Sequence, residues 1–150
     1  MKKTFLLSIF FISLGTIFGS FLHTNYEVNL LSAFNEGKQY YFIQEGVYSS
    51  EEIMLENTKD IEVKLINEEN NKYYVYLGIT KDEENAKKIK EIYTNKGYQL
   101  YIKEVSLTNE EFYNNVEQFD LLIKNTNKEE EILTIEEVVL ANYEEIIKKQ

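Results

Sequence analysis

The chain has 150 residues, a net charge of −10, one histidine and no cysteine. Without cysteine there are no disulfides, thiolate metal sites, cysteine nucleophiles or lipidated N-terminal cysteine. With His23 as the lone histidine, a His-rich zinc site and a Ser-His-Asp triad are both excluded. The acidic balance repels phosphate backbones and argues against a nucleic-acid partner. Apolar content of 43% with twelve Tyr and nine Phe is that of a globular chain, not a disordered one.

Lys2 and Lys3 precede a run from Phe5 to Leu22 that carries no charge. At ~1.5 Å per helical residue such a run reaches roughly 27 Å, close to a bilayer's hydrocarbon core. The flanking charges predict a cytoplasmic tip and a single transmembrane anchor over 1–24, with everything after it outside the cytoplasm. A cleaved signal peptide is the alternative; the run is long for one, and no A-x-A site follows it. The expected location is therefore the cell membrane, single-pass, with an extracytoplasmic C-terminal domain. Residues 25–39 read as a spacer.

Past the spacer the chain repeats itself. Tyr41-Phe42-Ile43-Gln44-Glu45-Gly46-Val47-Tyr48-Ser49-Ser50-Glu51-Glu52 aligns with Tyr73-Tyr74-Val75-Tyr76-Leu77-Gly78-Ile79-Thr80-Lys81-Asp82-Glu83-Glu84. Each copy opens with an aromatic and β-branched run, expected as a strand. Gly46 or Gly78 is expected to end it in a tight turn. A Ser or Asp then caps a helix whose first turn is acidic. The second helix has Ala86, Ile89 and Tyr93 (with Ile92) on one face and Gly97 as its C′ residue. The first is weaker, with Ile53, Met54 and Asn57 in the equivalent places. Closing strands are expected over Ile61–Ile66 and Tyr98–Val105, and Glu68-Glu69-Asn70-Asn71 is the polar connection between units.

Two such units give an α+β, ferredoxin-like βαββαβ domain over 40–107: an antiparallel four-stranded sheet with both helices on one face. Alternation turns Ile43, Val63, Val75, Leu77, Leu100 and Ile102 towards those helices. Phe42, Gln44, Tyr74 and Tyr76 then share the opposite face, flanked by Glu62, Lys64, Gln99, Tyr101 and Lys103. Rings among amides and hydroxyls suit sugars, whose C–H faces stack and whose hydroxyls bind polar groups. Ordinary tyrosine enrichment of sheets, or a covering C-terminal helix, would account for the same pattern.

The first of these repeats resembles the opening of a SPOR (sporulation-related repeat) domain: an aromatic, a β-branched residue, Gln44, Gly46, the aromatic Tyr48, then a polar helix start. Tyr73-Tyr74-Val75-Tyr76-Leu77-Gly78 with Glu84-Asn85-Ala86 is similar to the second repeat. The resemblance covers roughly Tyr40 to Leu107. It implies a SPOR-type βαββαβ fold and binding to peptidoglycan glycan strands, stripped of stem peptides, at division septa or during sporulation. It also implies that the ligand lies on the open sheet face, and it carries over to Gln44, Phe42, Tyr74 and Tyr76; with Tyr101, which alternation places beside them, these are the expected ligand-binding residues. Glu45, in a usually apolar position, Thr80, in place of a second aromatic, and the shorter first unit depart from the family pattern.

Residues 108–150 are expected to form a helical appendage. Thr108-Asn109-Glu110-Glu111 and Thr134-Ile135-Glu136-Glu137 both read as capping boxes. Phe112, Val116, Phe119 and Ile123 form one apolar stripe, and Asn125-Thr126-Asn127-Lys128 breaks it. Ile135, Val138, Val139, Tyr143 and Ile146 form another, with Lys148 and Lys149 suited to a helix C-terminus. Such short helices must dock on the domain, on each other or on a partner. Docking across the open sheet face would count heavily against glycan binding there.

The many Glu pairs fall at predicted helix starts and in loops, where acids have capping and solubility roles; Glu136-Glu137 is read in this way. There is no P-loop, dinucleotide fingerprint, EF-hand or G-x-S-x-G elbow. The expectation is a non-enzymatic envelope protein with no cofactor or metal, binding glycan strands. The alternatives are a scaffold that holds another envelope, division or sporulation protein through the sheet or the C-terminal helices, and an RNA-binding sheet, which the charge and the export signal disfavour.

Overall fold

Aromatic and β-branched residues crowd Lys38–Tyr48 (β1) and Lys72–Thr80 (β3), and these two strands form the centre of the sheet. In the computed structural model, which describes residues 37–149, the other elements are α1 (Glu51–Asn57), β2 (Leu65–Glu69), α2 (Glu83–Asn95), β4 (Tyr101–Leu107), α3 (Glu110–Asn125) and α4 (Glu129–Ile147). The predicted membrane span over 5–22 lies outside the described residues. Among the described residues no helix is long and apolar enough to cross a membrane.

The four strands lie in the order β2-β3-β1-β4, and every neighbouring pair is antiparallel. This is the order two interlocked β-α-β units produce. One face carries α1 and α2: Ile43, Val75, Leu77 and Leu100 pack with Met54, Ala86, Ile89 and Tyr93.

Sequence and structure agree most closely at α2. Asp82 caps it, its carboxylate accepting from the N–H groups of Glu84 (2.8 Å) and Asn85 (3.1 Å). Ala86, Ile89 and Tyr93 are all buried. At the other end Gly97 has φ +94°, the Gly97 N–H donates to Thr94 O (2.9 Å) and the Tyr98 N–H donates to Tyr93 O (3.1 Å). That double closure is a Schellman motif, and it demands the left-handed residue that glycine supplies at least cost. Gly97→Ala should therefore destabilise the protein by about 1 kcal/mol. Its added methyl meets no atom within 4 Å, so a chemical-denaturation midpoint reads the backbone effect alone.

Several expectations need correction. Both central strands run through their glycines instead of ending at them. A Cβ at Gly46 would lie 2.8 Å from the ring of Tyr48, and the Tyr48 hydroxyl donates to the Glu45 carboxylate at 2.7 Å. Pairing passes from Ile43↔Gly78 to Gln44↔Tyr76 to Gly46↔Val75. Leu77 and Glu45 are thus bulged, and each strand changes its inward residue at that point. The outer strands start later than the hydrophobic pattern suggested. Residues 58–64 form a loop in which the Lys64 ammonium donates to Thr58 O (2.6 Å) and Ile61 O (2.9 Å), and Val63 packs with the second core instead of the first. In α1, Met54 alone is buried, and Ile53 faces solvent.

The C-terminal helices also begin elsewhere. Asn109, not Thr108, caps α3 by accepting from the Phe112 N–H at 2.8 Å. Helix α4 begins at Glu129, where three successive acids suit the dipole. Thr134 lies inside it, its hydroxyl donating to Glu130 O at 2.8 Å. This hairpin closes the second sheet face. Tyr40, Phe42, Leu65, Tyr76 and Ile79 pack against Phe112, Val116, Val139 and Leu140, while Ile123 and Ile132 reach the first core.

Candidate functional site

The face expected to be open is mostly covered. Phe42 is 1% exposed and Tyr76 6% exposed. The Phe42 ring sits edge-on between Tyr76 and Tyr143 of α4, each centroid 5.1 Å away. Tyr40 stacks on Phe112 of α3 at 5.4 Å. Burial, the leading cause, pushes the Tyr76 hydroxyl up to about 12 and also raises Tyr143. Phe42 and Tyr76 are therefore core residues in this structure, because the apolar stripes of α3 and α4 bury Phe112, Val116, Val139 and Leu140 against them.

The hairpin leaves one end of this face uncovered. Tyr101 of β4 is 64% exposed and lies directly across from Gln44. Gln44 and Tyr74 are half-buried, and Val47, across from Tyr74, is exposed. The Tyr74 ring stacks on Tyr76 with centroids 6.5 Å apart and planes 11° apart. The Lys103 ammonium lies 5.6 Å from the Tyr74 centroid. Three of the five expected ligand-binding residues, Gln44, Tyr74 and Tyr101, thus share a strip with Lys103 and Val47. It offers two rings, one amide and one cation, which suits stacking and hydrogen bonding rather than bond cleavage.

Two carboxylates that the sequence reading assigned to solvent, or did not single out, are buried at the free edge of β3. Strand β2 stops pairing with β3 at Leu65↔Tyr76, so the rest of that edge has no strand beside it. There the Ile79 N–H donates to Glu136 Oε2 of α4 at 2.8 Å, and the Lys81 N–H donates to Asp120 Oδ2 of α3 at 2.9 Å. The Thr80 hydroxyl also bonds Asp120, and the Asn85 amide donates to Asp120 Oδ1 (3.0 Å) and to Asp120 O (2.9 Å). Gly78 makes the approach possible, since a Cβ there would lie 2.9 Å from Glu136 Oε2 and 3.0 Å from Ile89 Cγ2. Desolvation raises the Asp120 carboxyl despite these hydrogen bonds. It pushes Glu136, which is fully buried, up to about 8, with Asp120 adding to the shift.

A signal for this pair was present in the pattern. Asp120 falls between Val116 and Ile123, and Glu136 between Ile132 and Leu140, each inside an apolar stripe. An acid at such a position is solvated only if its helix is not packed there. Among the described residues no group of three or more His, Asp or Glu side chains is arranged to hold a metal ion. Comparison with protein-family models, curated proteins and solved structures gives no match.

Proposed function

We propose that this chain is a non-enzymatic, membrane-anchored envelope protein of SPOR-like fold that binds peptidoglycan glycan strands in cell division or sporulation. Its binding surface is the uncovered strip of Gln44, Tyr74, Tyr101 and Lys103, narrower than the whole sheet face. The supporting observation is that Tyr101, with its ring in solvent, lies directly across from Gln44 of the SPOR-like motif. Tyr101 and Tyr74 supply stacking surfaces, and Gln44 and Lys103 supply hydrogen bonds to hydroxyl and acetamido groups. With only two rings, affinity per site is modest and depends on several copies acting along one strand or septum.

The test is co-sedimentation with purified sacculi, before and after amidase removal of stem peptides. Binding should rise after amidase and fall at least tenfold in the double variant Gln44→Ala, Tyr101→Ala. These side chains lie outside the two cores, so thermal stability should stay within about 0.5 kcal/mol of wild type. Equal binding by the folded double variant rules out the strip.

A second reading, a scaffold for another envelope protein, is favoured by Leu121, Leu122 and Val138, which are large, apolar and exposed on the hairpin. The substitutions Leu121→Lys and Leu122→Lys discriminate. Lost septal localisation with intact sacculus binding identifies the scaffold, and retained localisation favours glycan.

A further inference from the structure

The α3–α4 hairpin is held to the sheet by an acid for which the structure supplies no counter-charge. Glu136 is fully buried between β3 and α2, against Gly78 and Ile89. Its Oε2 accepts one hydrogen bond, from Ile79 N–H, and its Oε1 is buried with no partner among the described residues. The groups near it from the packed elements do not compensate a negative charge. Asp120 of α3 is another acid, and Tyr93 of α2 is a buried phenol whose own hydroxyl donates to Val63 O at 3.2 Å. Among the described residues no ammonium group bonds Glu136 Oε1. Lys81 lies 3.1 Å from the Tyr113 centroid and 3.3 Å from Glu117, and Lys88 donates to Ile123 O (2.9 Å) and Thr126 O (2.8 Å). An ionised carboxylate with one hydrogen bond, no cation and an adjacent acid is costly in such a place; a neutral carboxyl is not.

We infer that the hairpin is a pH-sensitive lid on the second sheet face, latched most tightly by Glu136 in its protonated form and opening more often when Glu136 ionises. When closed, the lid covers Tyr40, Phe42, Leu65 and Tyr76 and caps the β3 edge through Glu136 and Asp120. When open, it bares that aromatic face and two edge N–H groups and withdraws Ile123 and Ile132 from the first core, which keeps Ile43, Val75, Leu77, Ala86 and Ile89. The hairpin is thus a cooperative unit able to open below the global unfolding limit. The inference holds whichever ligand the neighbouring strip takes.

The sign follows from linkage. In the open state Glu136 is solvated and returns to its ordinary value of 4.5; burial in the closed state raises it to about 8. The closed state is therefore fully favoured below the lower value and loses that advantage as pH rises to the upper one. Between pH 6 and pH 9 the opening constant should rise about a hundredfold.

Hydrogen–deuterium exchange on the full chain tests this, with rates corrected for the intrinsic pH dependence of amide exchange. Amides of α3, α4, Ile79 and Lys81 should lose protection by about a hundredfold from pH 6 to pH 9, while α2 keeps its protection. In Glu136→Gln the change should shrink at least tenfold. Simultaneous loss of protection in α2, a change below about threefold, or an unaltered pH response in folded Glu136→Gln overturns the inference. Should that variant not fold, a carbon-13 titration of the Glu136 carboxyl in the wild type decides. A midpoint that coincides with the exchange transition supports the latch, and a midpoint in the ordinary carboxylate range refutes it.

Discussion

Deleting residues 108–150 should leave a βαββαβ remnant that is far less stable than the full chain and aggregates. The deletion returns Tyr40, Phe42, Leu65 and Tyr76, all buried under α3 and α4, to water. At about 1.5–3 kcal/mol for each such side chain, the loss is roughly 6–12 kcal/mol, a large share of the free energy that holds such a domain together. It also strips Glu136 and Asp120 from the β3 edge, leaving the Ile79 and Lys81 N–H groups as a template for aggregation. The expected result is a poorly soluble product whose thermal transition by circular dichroism lies roughly 20 °C or more below that of the full chain. A truncated chain that melts cooperatively within a few degrees of the full one would show the hairpin to be an accessory. The deletion is consequently a poor probe of function, and surface substitutions on the hairpin are the better tool.

Asp120→Ala should destabilise the protein by about 3 kcal/mol, lowering the melting temperature by roughly 10 °C or more. Asp120 joins three segments: its carboxylate holds the Thr80 hydroxyl, the Lys81 N–H and the Asn85 amide, and its main-chain oxygen takes a second bond from Asn85. Thr80 and Asn85 are buried, so truncation leaves polar groups without partners and far from water. That loss outweighs the relief of desolvating one fewer carboxylate, because the remaining groups cannot all rearrange towards solvent. Asp120→Asn keeps acceptor capacity at one oxygen and should cost less than half as much. Urea unfolding of the three proteins side by side checks the order. A cost below 1 kcal/mol for the alanine variant would mean that water replaces the carboxylate.

What was legible in the residues is what depends on near neighbours. The repeat Tyr41–Glu52 over Tyr73–Glu84 pointed to two β-α-β units, and the central pair β1 and β3 lies where it places them. Helix α2 was readable from end to end, because an N-cap, an apolar face and a left-handed glycine are local features. The break at 125–128 was equally plain. Less was legible in β2 and β4, whose starts move with the path of the preceding loop; Ile61 and Val63 are apolar yet lie in that loop, outside the strand. The second capping box was misread because Thr134-x-x-Glu137 is also compatible with a helix interior, where threonine returns its hydroxyl to the preceding turn.

The candidate site divides along the same line. Alternation alone determined that Phe42, Gln44, Tyr74, Tyr76 and Tyr101 share one face of the sheet, because successive strand side chains must point to opposite sides. Only the tertiary structure decided which of them meet solvent. Helices α3 and α4 carry apolar stripes that fit any complementary surface, and nothing local specifies that they lie over Phe42 and Tyr76 and stop short of Tyr101. The same docking buries Glu136, whose position reads as a surface acid, and Asp120, which no motif singles out, against the unpaired N–H groups of β3. The amino-acid sequence by itself therefore determined the two repeating units and the sidedness of the sheet. Long-range burial of two amphipathic helices decided which part of that face remains exposed, since the hydrophobic effect rewards covered area without naming its partner in advance.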